Sequence, residues 1–115
     1  MSANIQIKRV YEPADASDGY RVLVDRIWPR GLAKARAGID EWMKEIAPTT
    51  ELRKWFGHDP ERWADFRDKY LAELKDKADL LDALRGRARH GGVTLLYAAH
   101  DESRNNAVVL AGLLR

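Results

Sequence analysis

The run Val22-Leu23-Val24 is apolar without alternation. The chain that leaves it, Asp25-Arg26-Ile27-Trp28-Pro29-Arg30-Gly31, turns at once into arginines, tryptophan, proline and glycine. A strand with one wet face alternates apolar and polar residues. A continuous apolar run is that of a strand buried on both faces, as in a parallel or mixed sheet covered by other elements. Pro29 has no N–H to continue a ladder and holds Trp28 extended. Gly31 permits a turn that a Cβ would strain. Ligands of open α/β sheets bind beyond the carboxyl ends of the strands, so this stretch also marks the first place to look for a site.

The other elements fit around that strand, which is predicted over Tyr20 to Ile27. Ile5 to Tyr11 begins with strand alternation, and Glu12 to Gly19 is rich in turn residues. Residues 32–39 form a basic loop. Ile39 to Ile46 fits helix and strand patterns, and a short extended segment is favoured. Thr49 or Thr50 caps a short helix to Phe56, closed by Gly57. Asp59, Pro60 and Glu61 start a longer helix that buries Trp63, Phe66, Tyr70, Leu71 and Leu74 at helical spacing. Asp79 is placed as the cap of a third helix to about Arg89, closed by Gly91-Gly92. Val93 to Ala99 is a second core strand, and Ser103 is placed as the cap of a last helix carrying Val108, Val109, Leu110, Leu113 and Leu114. The order predicts a single α/β domain over residues 1–115, with a short, mostly parallel sheet flanked by helices.

Composition narrows the chemistry. The chain has no cysteine, which removes disulfides, thiolate metal sites and cysteine nucleophiles. The apolar runs are too short for a membrane span. Residues 1–20 lack the apolar core of a signal peptide, so a cytoplasmic protein with no membrane partner is expected. Twenty basic residues stand against 18 acidic ones, a balance that by itself says little about nucleic acid. Their distribution says more: residues 21–37 are basic, 40–82 acidic and 83–115 basic again, which can gather positive charge on one face.

Two loops follow core strands, Asp25 to Gly31 and His100 to Asn106. If their strands are parallel neighbours, the loops face each other. Arginines beside a helix start make an anion site for phosphate or carboxylate, although no glycine-rich phosphate cradle is present. Trp55-Phe56-Gly57-His58-Asp59-Pro60 is a third candidate, with Asp59 read chiefly as a helix cap. The spacing of His58, His90 and His100 does not form a metal site, and no Ser sits in a nucleophile elbow.

Three segments together carry a resemblance: Arg21 to Gly31, Leu52 to Pro60, and Leu95-Leu96-Tyr97-Ala98-Ala99-His100-Asp101 followed by Asn105-Asn106-Ala107. In order and over nearly the whole length, the chain resembles the bacterial YeaO-type branch of domain of unknown function family 488. The resemblance implies a small α/β protein and a signature formed by Asp25, Arg26, Trp28, Pro29, Arg30, Gly31, Trp55, Phe56, His58, Asp59, Tyr97, Asp101 and Asn106. It carries no biochemical activity with it. Other branches of that family have Cys where Tyr97 stands, so cysteine chemistry drawn from them does not transfer.

Two functional readings follow. In the first, a cleft between the loops binds a small anionic ligand, with or without catalysis. Arg26 and Arg30 hold the anion, Trp28 or Trp55 stacks on an aromatic part, and Tyr97 and Asn106 complete the binding set. Asp25, His58 or Asp101 moves any proton. In the second, a nucleic acid lies on Arg30, Lys34, Arg36 and the Arg85, Arg87 and Arg89 run, although alternating arginines cannot share one helix face. A partner-binding module with exposed tryptophans is a third option. Cofactor, substrate and oligomeric state are left open.

Overall fold

The computed structural model describes residues 4–115. Four strands, β1 (Ile5–Arg9), β2 (Tyr20–Leu23), β3 (Glu41–Trp42) and β4 (Val93–Tyr97), form one sheet in the order β1-β4-β2-β3. Every neighbouring pair is parallel, with Ile5 opposite Val93, Tyr20 opposite Val93, and Leu23 opposite Trp42. The expected α/β class and parallel sheet are thus found, and the two core strands are direct neighbours. Four helices complete the chain: α1 (Thr50–Phe56), α2 (Trp63–Leu74), α3 (Ala78–Arg89) and α4 (Asn106–Leu114).

All of β4 is buried because both faces of the sheet are covered, by different means. Val93, Leu95 and Tyr97, with Val22, Val24 and Ile5, face the buried residues of all four helices. Leu96, Leu23 and Val10 face the other way, under Trp28, Leu32, Ile39 and Trp42 from the chain between β2 and the end of β3. One face is therefore roofed by helices and the other by irregular chain pinned with indoles. Trp42 Nε1 donates to the Asp25 carbonyl at 2.7 Å, and Trp28 Nε1 donates to the Leu32 carbonyl at 2.8 Å. The two rings meet edge to face at 5.4 Å, an arrangement that aromatic quadrupoles favour.

The loop-covered side also holds a buried ionic cluster. Asp18 and Arg21 are 3% and 4% exposed and form an ion pair, with Lys8 reaching Asp18 at 3.1 Å. Arg21 Nε further donates to the Gly38 carbonyl at 2.7 Å. Thr94 Oγ1 donates to the Asp18 carbonyl at 2.6 Å, tying the cluster to the central strand. Between Asp18 and β2 stands Gly19, at φ 66°. A Cβ there would lie 2.6 Å from the Gly92 carbonyl oxygen, so only glycine fits.

Several boundaries differ from the sequence reading for local reasons. The central apolar strand ends at Leu23 because Val24 keeps only an N–H bond to the Leu96 carbonyl (3.1 Å) before Asp25 leaves the ladder. The ambiguous segment 39–46 splits into the two-residue β3 and a 3-10 turn over Lys44–Ile46. Asp79 is not a cap: α3 starts at Ala78, and Asp79 lies in its first turn. Ser103 is not a cap either. Asp101 Oδ1 accepts the N–H groups of Ser103 and Arg104 at 2.9 and 3.0 Å. That side-chain turn delays the helix to Asn105, whose own side chain accepts from Val108 N at 3.0 Å. The caps at Thr49 and Asp59 and the glycine closure at Gly57 occur as predicted, with Asp59 opening a 3-10 turn that leads into α2. Among the described residues no helix is long and apolar enough to cross a membrane.

Candidate functional site

A cleft of about 780 Å³ opens beyond the carboxyl ends of β2 and β4. Three stretches line it. Asp25, Arg26, Ile27, Trp28 and Arg30 follow β2; Ala98, Ala99, His100, Asp101, Asn105 and Asn106 follow β4; Arg53, Phe56 and His58 come from the end of α1. Ala47, Pro48, Phe66 and Tyr11 close the remaining sides. The volume lies within the range of pockets that enclose small organic molecules.

The loops are held together by side chains that bridge them. Asp25 Oδ2 accepts the Ala98 N–H at 2.9 Å, and its Oδ1 accepts Asn106 Nδ2 at 3.1 Å. The same Asn106 amide donates to the Val24 carbonyl at 2.8 Å. The end of β2, the end of β4 and the first turn of α4 therefore meet at one carboxylate. Arg26 braces a second wall by donating to the Pro48 carbonyl at 3.0 Å and the Ala47 carbonyl at 3.1 Å. Arg9 fixes the third, with Nε donating to the Ala99 carbonyl at 3.0 Å. The apolar wall is Phe56 stacked on Phe66, with ring centroids 4.3 Å apart.

The charges divide into engaged and free. Asp101 is spent on its turn and on Arg104 at 3.4 Å. The backbone N–H of Ser103 is the main cause holding its carboxyl below the usual range. Asp25 moves the other way. Burial raises it, and the Ala98 N–H, the Asn106 amide and the nearby His58 and Arg53 offset this only in part. Arg30 and Arg53 are exposed at the rim. Neither has an acidic partner within ion-pair distance among the described residues. His58 sits at φ 58°, directly after Gly57 at φ 53°. A left-handed histidine is uncommon, and such strain gathers at functional positions.

Of the residues singled out from the sequence, Asp25, Arg26, Trp28, Arg30, His58, Asp101 and Asn106 line the cleft together. Trp55 and Tyr97 do not. Trp55, 36% exposed, points outward between Arg62 and Lys69, each 5.3 Å from its ring. Tyr97 is 2% exposed and belongs to the helix-side core. The family signature suggested it for the binding set, but strand alternation turns it to the other side of Ala98. Sequence reasoning missed Arg53 and Tyr11. Arg53 had a signal, since it lies three residues before Phe56 in a one-face helical repeat. Tyr11 had none; its hydroxyl reaches the Arg30 carbonyl at 2.8 Å through the tertiary fold alone. Among the described residues no three acidic or histidine side chains gather as a metal-binding group.

Three basic residues of the nucleic-acid reading have local partners. Lys34 lies over Trp28, Arg87 lies 3.9 Å over the Tyr20 ring, and Arg85 pairs with Asp82. The side chain of Arg36 lies outside the described residues.

The chain is 52% identical over 112 residues to the uncharacterised protein YeaO of Escherichia coli K12, covering 97% of both chains. It is 44% identical over 110 residues to the uncharacterised protein Rv3073c of Mycobacterium tuberculosis H37Rv, covering 96% of this chain and 92% of that one. No solved structure matches it. The family model for the inactive DUF488-N3 subclade matches residues 4–115. With that match and the YeaO likeness running through all three lining stretches, the chain belongs to the DUF488 family, on its YeaO-like side.

Proposed function

We propose that the protein binds a small phosphate- or carboxylate-bearing ligand in the cleft at the carboxyl ends of β2 and β4, and holds it without turning it over. The observation that carries this reading is a pair of arginines, Arg30 and Arg53, that line an aromatic-walled cleft and, among the described residues, have no acidic partner within ion-pair distance. A planar guanidinium offers paired donors that match carboxylate and phosphate oxygens. Arg26 adds a third positive charge whose position is fixed by two backbone carbonyls.

Binding is favoured over catalysis on three grounds. Asp101, a candidate for proton transfer, has its oxygens committed to a turn and to Arg104. Asp25 serves as the brace between loops. The matching family model is itself described as inactive.

A thermal-shift screen at fixed salt and pH tests the proposal with phosphate, pyrophosphate, nucleotides and aromatic and aliphatic carboxylates. A ligand at about a hundred times its dissociation constant adds roughly 2.7 kcal/mol, a shift on the order of 10 °C for a domain of this size. Arg30→Ala and Arg53→Ala are each expected to weaken binding about tenfold or more, as loss of a charge-assisted hydrogen bond does. Shifts that survive both substitutions, or no shift with any anion, would sink it.

A further inference from the structure

Asp25 is the one acidic group of the cleft that meets only neutral donors. Its carboxylate receives a backbone N–H and a carboxamide, and among the described residues no Lys, Arg or His nitrogen comes within ion-pair distance. The remaining acid of the lining, Asp101, has Arg104. Meanwhile Arg30 and Arg53 carry positive charge and, among the described residues, have no acid within ion-pair distance. The cleft is thus short of a cation at one place and short of an anion at another, with Phe56 and Phe66 forming an apolar wall. Asp25 is half-buried and the charges of His58 and Arg53 reach it only from beyond ion-pair distance, so its ionised form is undersolvated, while Arg30 and Arg53 stand hydrated at the rim. A single ligand can supply both missing charges.

We infer that the ligand is a zwitterion: an ammonium group seated on Asp25, a carboxylate or phosphate held by Arg30 and Arg53, and an apolar body against Phe56 and Phe66. The inference rests on the anion-binding reading above and goes further, since it gives Asp25 a ligand-facing role. Each oxygen of Asp25 accepts one bond from the protein, and a carboxylate oxygen has capacity for a second. Burial of the carboxyl adds to this, because a charged donor arriving from the ligand is what its ionised form lacks. Asp25 therefore selects against simple anions, which it repels, and for amino acids or amino phosphates.

Matched pairs differing only in the amino group test this by calorimetry on the intact protein. L-phenylalanine is set beside 3-phenylpropanoate, L-leucine beside 4-methylpentanoate, and phosphoethanolamine beside ethyl phosphate. The expected result is that at least one amino-bearing member binds about tenfold or more tightly than its counterpart, as an added charge-assisted bond predicts. In Asp25→Asn that preference falls to near unity. Because this substitution touches the brace between loops, the wild-type ratios stand as the decisive readout if the variant unfolds. If the simple anions bind as well as or better than their amino partners, the zwitterion inference is overturned while the anion cleft stands. If no member of any pair binds and the Arg53→Ala protein behaves as wild type, both readings fall together.

Discussion

Asp18 and Asp25, seven positions apart and identical in chemistry, are set to opposite purposes by their surroundings. Burial raises the carboxyl of Asp18, but the Asp15 N–H, Lys8 and Arg21 outweigh it and bring it below its ordinary value of 3.8. A depressed carboxyl means that the folded state holds its proton less well than the unfolded chain. Asp18 thus stabilises the fold above its unfolded value, and that stability is lost as pH falls toward the lower folded value. For Asp25 the folded value is raised. The folded state keeps the proton longer, and stability declines as pH rises from the unfolded value through the folded one. Urea denaturation between pH 3 and 7 should therefore show Asp18→Asn flattening the acid side of the profile. At pH 7 the same change should cost about 3–5 kcal/mol, because it strands a buried arginine. A cost below about 1 kcal/mol would mean that the Gly38 and Ala37 carbonyls suffice for Arg21 without the carboxylate. His58 was visible in the sequence as a cleft candidate, but its left-handed backbone was not, since nothing in Gly57-His58-Asp59 requires a second positive φ after the glycine.

At the scale of elements, what the sequence showed well was periodicity and punctuation. The aromatic stripe of α2, the Thr49 and Asp59 caps and the Gly57 stop follow from local chemistry, and local chemistry is what a sequence displays. What it hid was competition between neighbouring polar residues. Asp101, Ser103 and Asn105 can all cap, and only the side-chain turn at Asp101 decides that Asn105 does so. It also hid the clamp between α1 and α2. Glu73, in the last turn of α2, accepts from Thr49 N at 3.0 Å and from Thr49 Oγ1 at 2.7 Å, while that hydroxyl caps α1. Thr49→Ala is expected to cost about 1–2 kcal/mol. Glu73→Ala should lose a comparable amount, and the double variant less than the sum. Full additivity in thermal melts would mean that the two helices are not coupled through this contact. The clamp matters to the cleft because Thr49 follows Pro48 and leads into the helix that carries Arg53 and Phe56.

For the whole molecule, the parallel sheet and the facing loops were legible because Val22-Leu23-Val24 and Val93 to Tyr97 lack alternation. The dry roof over the second face was not. Its residues, Trp28, Leu32, Ile39 and Trp42, are spread through a stretch of arginine, lysine, glycine and proline that carries no period. The distribution of charge also reads differently in three dimensions. Lysines and arginines lie over Trp28, Trp42, Tyr20, Tyr11 and Trp55, so much of the positive charge covers aromatic surface. Ligand affinity is accordingly expected to fall only a few-fold between 50 and 200 mM salt. A nucleic acid bound through six to ten phosphates would lose about 10³–10⁵ over the same range. Titration of a single-stranded oligonucleotide beside the small anions separates the two outcomes.

The strand at the middle of the sheet is also the last one in the chain. Ile5 has Val93 as its neighbour and Tyr20 has the same residue on the other side, so β1 has no partner, and β2 only the two-residue β3, until the sequence is four-fifths made. During synthesis β1 waits unpaired and β2 keeps one edge open, with apolar side chains uncovered, while three helices emerge ahead of the segment that joins them. Assembly of this sheet is therefore a closing event rather than a zipper, governed by long-range loop closure. A nascent chain stopped short of Val93 has helices and only the short β2–β3 pair to lay them on, which makes the interval before that residue appears the period when the protein is most exposed to aggregation and proteolysis.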